Sequence, residues 1–136
     1  MTDVQQWIKQ CEGLDLKLKK DTVHKWTIGY GRNIEDNGIS IDEAELMFKN
    51  DLKRTINELD QYNWFINQPQ SIKDALINMN FNMGIHRLLG FKKMIASLDD
   101  HNYAHAALEA LNSKWAKQVP NRAKDIAVMI RQSEWH

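Results

Sequence analysis

Glu12-Gly13-Leu14, Asp21-Thr22 and Trp26-Thr27-Ile28-Gly29-Tyr30-Gly31 set two carboxyl groups and a hydroxyl around one short stretch of chain. Hydrolysis of a glycosidic bond needs an acid to protonate the leaving oxygen. It also needs, on the other side of the sugar, a base for water or a nucleophile. Glu12 and Asp21 have the chemistry for these two roles, and Thr27 adds a hydroxyl beside them. Singly, such residues are ordinary surface charges; their joint spacing makes them a candidate site.

The elements that must position them can be read from local signals. Thr2 and Gln5 have capping-box spacing, and Val4, Trp7, Ile8 and Cys11 follow helical periodicity, so a helix is expected over about 3–12, stopped by Gly13. Glu12 then sits at the carbonyl end, where the helix dipole disfavours a negative charge. Leu14, Leu16 and Leu18 alternate with Asp15, Lys17 and Lys19, the pattern of a strand with one buried face. A second strand is expected at Lys25 to Ile28, with Asp21 in the turn between them. Gly29 and Gly31 let the backbone bend or approach a ligand closely.

The rest of the chain reads as helices. Ser40 and Glu43 form a second capping box, opening a helix to about Asp60, roughly 30 Å long by rise per residue. A loop around Pro69 leads to a helix capped by Ser71 that turns Ile72, Leu76, Met79 and Met83 inward. Shorter helices are expected near His86 to Leu89, Phe91 to Leu98 and Asn102 to Leu111. Pro120 suits the first turn of a last helix with Ala123, Ile126, Ala127 and Ile130 on one face.

With 136 residues the chain can bury one core as a single domain. Its 18 basic and 18 acidic residues cancel, so no global field recruits nucleic acid. The one cysteine, Cys11, excludes an internal disulfide and is expected as a small buried hydrophobe. His24, His86, His101, His105 and His136 are scattered without metal-ligand spacing, and the His101/His105 pair is expected on a surface helix, so neither a metal nor another cofactor is expected. No signal peptide and no membrane-spanning segment is apparent.

At Glu12-Gly13, Asp21-Thr22 and Thr27-Ile28-Gly29 the chain resembles the phage lysozymes, the endolysin muramidases of the bacteriophage T-even kind. Ile39 to Ala44, Ala75 to Met79, Phe81 with Met83-Gly84, Gly90-Phe91, Ser113 with Trp115, and Pro120 to Lys124 fall in that family's order. The resemblance implies a mostly helical α+β, lysozyme-like fold. A small N-terminal β-hairpin lobe, about 13–40, would be joined by a long helix, about 41–60, to a helical C-terminal lobe of about 61–136 plus helix 3–12. It implies Glu12 as general acid, Asp21 as the base that activates water and Thr27 as the hydroxyl that helps hold that water. Gly31 and Phe81 would line the substrate cleft, and Arg122 would reach back to support the acid.

The implied substrate is the β-1,4 bond between N-acetylmuramic acid and N-acetylglucosamine in the glycan strands of peptidoglycan. Inversion is expected, with the two carboxyls about 6.5–9.5 Å apart. The enzyme is expected to be a monomer made in the host cytoplasm and released to the wall by a separate membrane pore, a holin. Lys17, Lys19 and Lys20, and later Lys92, Lys93, Lys114 and Lys117, are the local candidates for attraction to an acidic wall. A silent peptidoglycan binder, a helical scaffold and a lytic transglycosylase remain as alternatives; Glu12, Asp21 and Thr27 together argue against silence, and Asp21 favours hydrolysis over the transglycosylase. Val23 and His24 stand where the family has a small or acidic residue and a glycine, so the hairpin turn must be built differently. Arg32 replaces a common histidine. Met94 and Glu109 replace small or amide residues at two sugar-contacting positions, and those roles are not carried over.

Overall fold

The computed structural model describes residues 2–133. They fall into two compact units, divided between Met47 and Phe48. The architecture is mostly helical with one small antiparallel sheet, the expected α+β class.

In the first unit, α1 (Asp3–Glu12) opens with the expected capping box. The Gln5 N–H donates to Thr2 Oγ1 at 3.3 Å and the Thr2 N–H donates to Gln5 Oε1 at 2.8 Å. Gly13 ends the helix at φ 71°, its N–H donating to the Lys9 carbonyl. Strands β1 (Asp15–Lys20), β2 (Trp26–Gly29) and β3 (Arg32–Asn33) form a sheet in that order. Asp15 lies opposite Gly29 and Lys19 opposite Thr27, so the register shifts between them and β1 bulges. Asn33 caps α2 (Ile34–Asn37), its Oδ1 accepting the Asp36 N–H at 3.0 Å.

Helix α3 (Ile41–Leu59) begins at the expected Ser40/Glu43 box, and the unit boundary falls within it. Glu43 does two jobs at once. Its carboxylate accepts the Ser40 N–H and forms a two-pronged ion pair with the Arg32 guanidinium, so Arg32 ties β3 to the start of α3. The hydrogen bonds from Arg32 and then from Ser40 pull the Glu43 carboxyl down to about 2.

The expected buried face of β1 is not found. Leu14, Leu16 and Leu18 are exposed, Leu16 at 81%. Alternation records which way side chains point, while burial needs a partner layer; α2 packs on β2 and β3, and β3 is only two residues long. Cys11, expected to be buried, is exposed as well.

The second unit holds the apolar core. It contains α4 (Asn63–Ile66), α5 (Gln70–Met83), α6 (Ile85–Leu89), α7 (Lys92–Asp99), α8 (Tyr103–Leu111), α9 (Lys114–Gln118) and α10 (Pro120–Gln132). The expected faces are the buried ones: Ile72, Leu76, Met79 and Met83 on α5, and Ala123, Ile126, Ala127 and Ile130 on α10. Helix α10 packs on α5 and α8, and the small Ala123 and Ala127 allow close approach.

Ser71 does not cap α5. Pro69 holds the cap position, and Ser71 lies inside the helix with its hydroxyl on Ser133 Oγ. One buried polar group is fully matched: Gln68 donates to the Trp64 and Leu98 carbonyls, both at 2.8 Å, and accepts from the Tyr103 hydroxyl at 2.7 Å. Burial pushes the Tyr103 hydroxyl upward.

The Arg32–Glu43 clamp predicts a pH dependence. Because the folded Glu43 carboxyl titrates at about 2 rather than near 4.5, its contribution is complete above pH 4.5 and disappears as pH falls through 2. Glu43→Gln should therefore lower the melting temperature at pH 7, with the variant and wild-type curves converging as pH approaches 2. Thermal unfolding followed by circular dichroism checks this; parallel curves over that range would contradict it.

Candidate active site

Four of the expected residues are brought together in the first unit. Glu12, Asp21, Thr27 and Gly31 line one open cleft of about 390 Å³, together with Asp15 and Lys19. Each arrives from a different local device.

Glu12 is the last residue of α1, set at the cleft because Gly13 stops the helix there. Its side chain lies over the backbone of Gly31. A Cβ built on Gly31 would stand 2.2 Å from Glu12 Oε2 and 2.9 Å from its Cδ. Gly31 also has φ +72°, a left-handed conformation that L side chains disfavour. Both the turn and the carboxyl thus depend on the missing side chain.

Asp21 is held by its own turn. Its N–H donates to the Lys25 carbonyl at 2.9 Å, and its carbonyl accepts the His24 N–H at 3.1 Å. Its Oδ1 accepts the N–H groups of Val23 at 3.0 Å and Lys25 at 2.9 Å. Oδ2 takes neither bond. The turn is built without a glycine because His24 itself adopts φ 65°, which answers the departure from the family noted at Val23 and His24.

Thr27, in β2, donates its hydroxyl proton to the Lys19 carbonyl at 3.0 Å. Towards the cleft its oxygen is therefore an acceptor. Around this centre the charges are mixed. Lys19 pairs loosely with Asp15 at 3.8 Å, and the Lys20 ammonium lies 5.0 Å from the Trp26 ring centroid. Asp15 is a cleft residue outside the expected set. Its place opposite the leucines in the β1 alternation was the signal that could have found it.

Phe81 and Arg122 belong to the second unit, where they line a pocket of about 310 Å³ with Phe48, Leu52 and Ile77. The Phe48 and Phe81 rings are tilted against each other, with centroids 5.6 Å apart. Met94 and Glu109 line another pocket of that unit; Met94 is fully buried, and Glu109 stands 3.4 Å from His105 Nε2. His101 precedes α8 in a left-handed turn, so it and the helical His105 do not form the surface-helix pair expected of them. Among the described residues no group of three or more His, Cys, Asp or Glu side chains could hold a metal, and His136 lies outside them. Among the described residues no helix is long and apolar enough to cross a membrane.

The family model for phage lysozyme matches residues 9–134. Two proteins of Dictyostelium discoideum, named Probable T4-type lysozyme 2 and Probable T4-type lysozyme 1, are each 28% identical to this chain. The first alignment covers 93% of the chain and 92% of the relative, the second 96% and 94%. A protein named Endolysin, from Acyrthosiphon pisum secondary endosymbiont phage 1, is 31% identical over 84% of the chain and 77% of its own length. With the family model spanning nearly the whole sequence, a mostly helical α+β fold, and the Glu12, Asp21 and Thr27 side chains in one cleft, the chain belongs to the phage lysozyme family of cell-wall glycoside hydrolases.

Proposed function

We propose that this protein is an inverting muramidase that hydrolyses the β-1,4 bond between N-acetylmuramic acid and N-acetylglucosamine in peptidoglycan, acting as an endolysin. The observation that carries the reading is the way hydrogen bonds divide the Asp21 and Thr27 oxygens. Asp21 Oδ1 is occupied by two backbone N–H groups, which fix the carboxylate and leave Oδ2 to take a proton from water. The Thr27 hydroxyl already donates its hydrogen bond to the Lys19 carbonyl, so its oxygen is left to accept the water's other hydrogen. A water held by both acceptors turns a lone pair towards the anomeric carbon.

Glu12, in its acid form, gives its proton to the leaving glycosidic oxygen as the C–O bond breaks, while Asp21 removes one from the attacking water. Solvent then returns a proton to Glu12 and takes one from Asp21, and the net change is one water added across one bond. Attack on the face opposite the leaving group converts the β bond into an α product. Gly31 and Phe81 are proposed as cleft-lining residues and Arg122 as the support of the acid, in the roles that the family gives them. The likeness to a phage endolysin supports a lytic role; the enzyme is proposed to work as a single-domain monomer that reaches the wall through a separate pore.

Two substitutions test the assignment on purified, outer-membrane-stripped cell walls. Glu12→Gln should keep the far-ultraviolet circular dichroism and the binding to walls, yet lose at least about 100-fold in kcat, because the amide cannot protonate the leaving oxygen. Wild-type clearing of turbidity by that variant would remove Glu12 from the mechanism. Thr27→Val should lower kcat with little change in KM, since the lost acceptor orients water and not sugar. For the wild type, mass spectrometry should find reducing muramic acid ends; anhydro ends would mean a transglycosylase.

A further inference from the structure

We propose that Lys25 is a positioning residue for Asp21, gripping the turn that carries the base through an ion pair with the two acids of α2. The inference rests on the reading of Asp21 as the water-activating base. Lys25 meets Asp21 through its backbone on both sides, its N–H donating to Asp21 Oδ1 and its carbonyl accepting the Asp21 N–H, each at 2.9 Å. Wherever the backbone of Lys25 moves, the carboxylate follows.

The side chain of Lys25 fixes that backbone. Its Nζ stands 3.2 Å from Asp36 Oδ1 and 3.4 Å from Glu35 Oε2. The acids are themselves placed. Asp36 accepts from Asn33 Nδ2 at 2.9 Å while its own N–H donates to Asn33 Oδ1, and Glu35 Oε1 accepts the Trp26 N–H at 3.4 Å. Hydrogen bonds from Asn33 and then Lys25 hold the Asp36 carboxyl below its ordinary value, and the partnership with Asp36 raises Lys25, so the pair is charged at neutral pH. The turn from Asp21 to Lys25 is thereby fastened to α2, which packs on β2 and β3.

All three side chains are partly exposed, between 39% and 49%, so water screens their attraction. The grip should therefore matter more for geometry than for stability. Displacement of a catalytic group by even about 1 Å can cost far more in rate than a screened ion pair contributes to folding.

The test compares Lys25→Met, Lys25→Arg, the double variant Glu35→Gln/Asp36→Asn, and the triple variant joining that pair to Lys25→Met, in the full chain on soluble peptidoglycan oligomers. Lys25→Met should lower kcat roughly ten-fold at unchanged KM, with Lys25→Arg restoring most of the rate. The double variant should show the same loss, and the triple variant no further loss. A wild-type kcat in Lys25→Met, a loss confined to KM, or multiplying losses in the triple variant would overturn the proposal. If Lys25→Met does not fold, a wild-type kcat in the double variant overturns it equally. Failure of the underlying reading looks different: Asp21→Asn would itself retain hydrolysis.

Discussion

The carboxyl of Glu12 has its place only because residue 31 has no side chain. Gly31 supplies both the left-handed backbone of the turn between β2 and β3 and the empty volume that Glu12 fills. The neighbouring residues then hold that turn from outside. Arg32 clamps onto Glu43 at the start of α3, and Asn33 caps α2. The acids of α2 hold Lys25, whose backbone closes the turn around Asp21. The turn on which Glu12 packs and the turn that holds Asp21 are thus joined through α2, by steric fit at Gly31 and by polar contacts from Asn33 to Lys25.

The two units are stabilised by different physics. Among the described residues up to Met47 none is fully buried, and the contacts that define this unit are caps, strand hydrogen bonds and partly exposed ion pairs. Each such pair contributes little alone, since solvent and salt screen it. The second unit instead buries whole helix faces, with Leu76, Met79, Leu88, Met94 and Leu98 fully covered. Removing one of these to alanine would cost about 2–5 kcal/mol, whereas breaking a solvent-screened pair costs far less. Acid and salt should therefore disturb the first unit before they disturb the core.

What the sequence made legible follows the range of the forces involved. The Thr2/Gln5 and Ser40/Glu43 boxes are contacts between residues three apart, so the starts of α1 and α3 could be read directly. The inward faces of α5 and α10 repeat over three or more turns and were equally clear. Helices α4 and α9, of four and five residues, are too short to carry a period. The exposure of Leu16 and Cys11 was hidden because burial depends on what packs opposite. In the site, Glu12, Asp21, Thr27 and Gly31 were visible as a motif, but the tie from Lys25 to α2 joins residues ten and eleven apart through a helix that periodicity does not mark. His24 in a left-handed turn was equally hidden, since that conformation usually goes to glycine.

The most direct test of the account is Gly31→Ala. The new methyl group would occupy the space of the Glu12 carboxyl, which is flexible enough to swing away, so the cost to stability should be little more than the left-handed penalty of about 1–2 kcal/mol. The cost to catalysis should be larger, because Glu12, the proposed acid, would no longer be held in the position that Gly31 leaves for it. Steady-state kinetics on a soluble peptidoglycan oligomer, well below the melting temperature of both proteins, should give a kcat lower by at least about ten-fold with the fold intact. A Gly31→Ala enzyme that is folded and turns over at the wild-type rate would mean that this backbone does not position Glu12, contradicting the account.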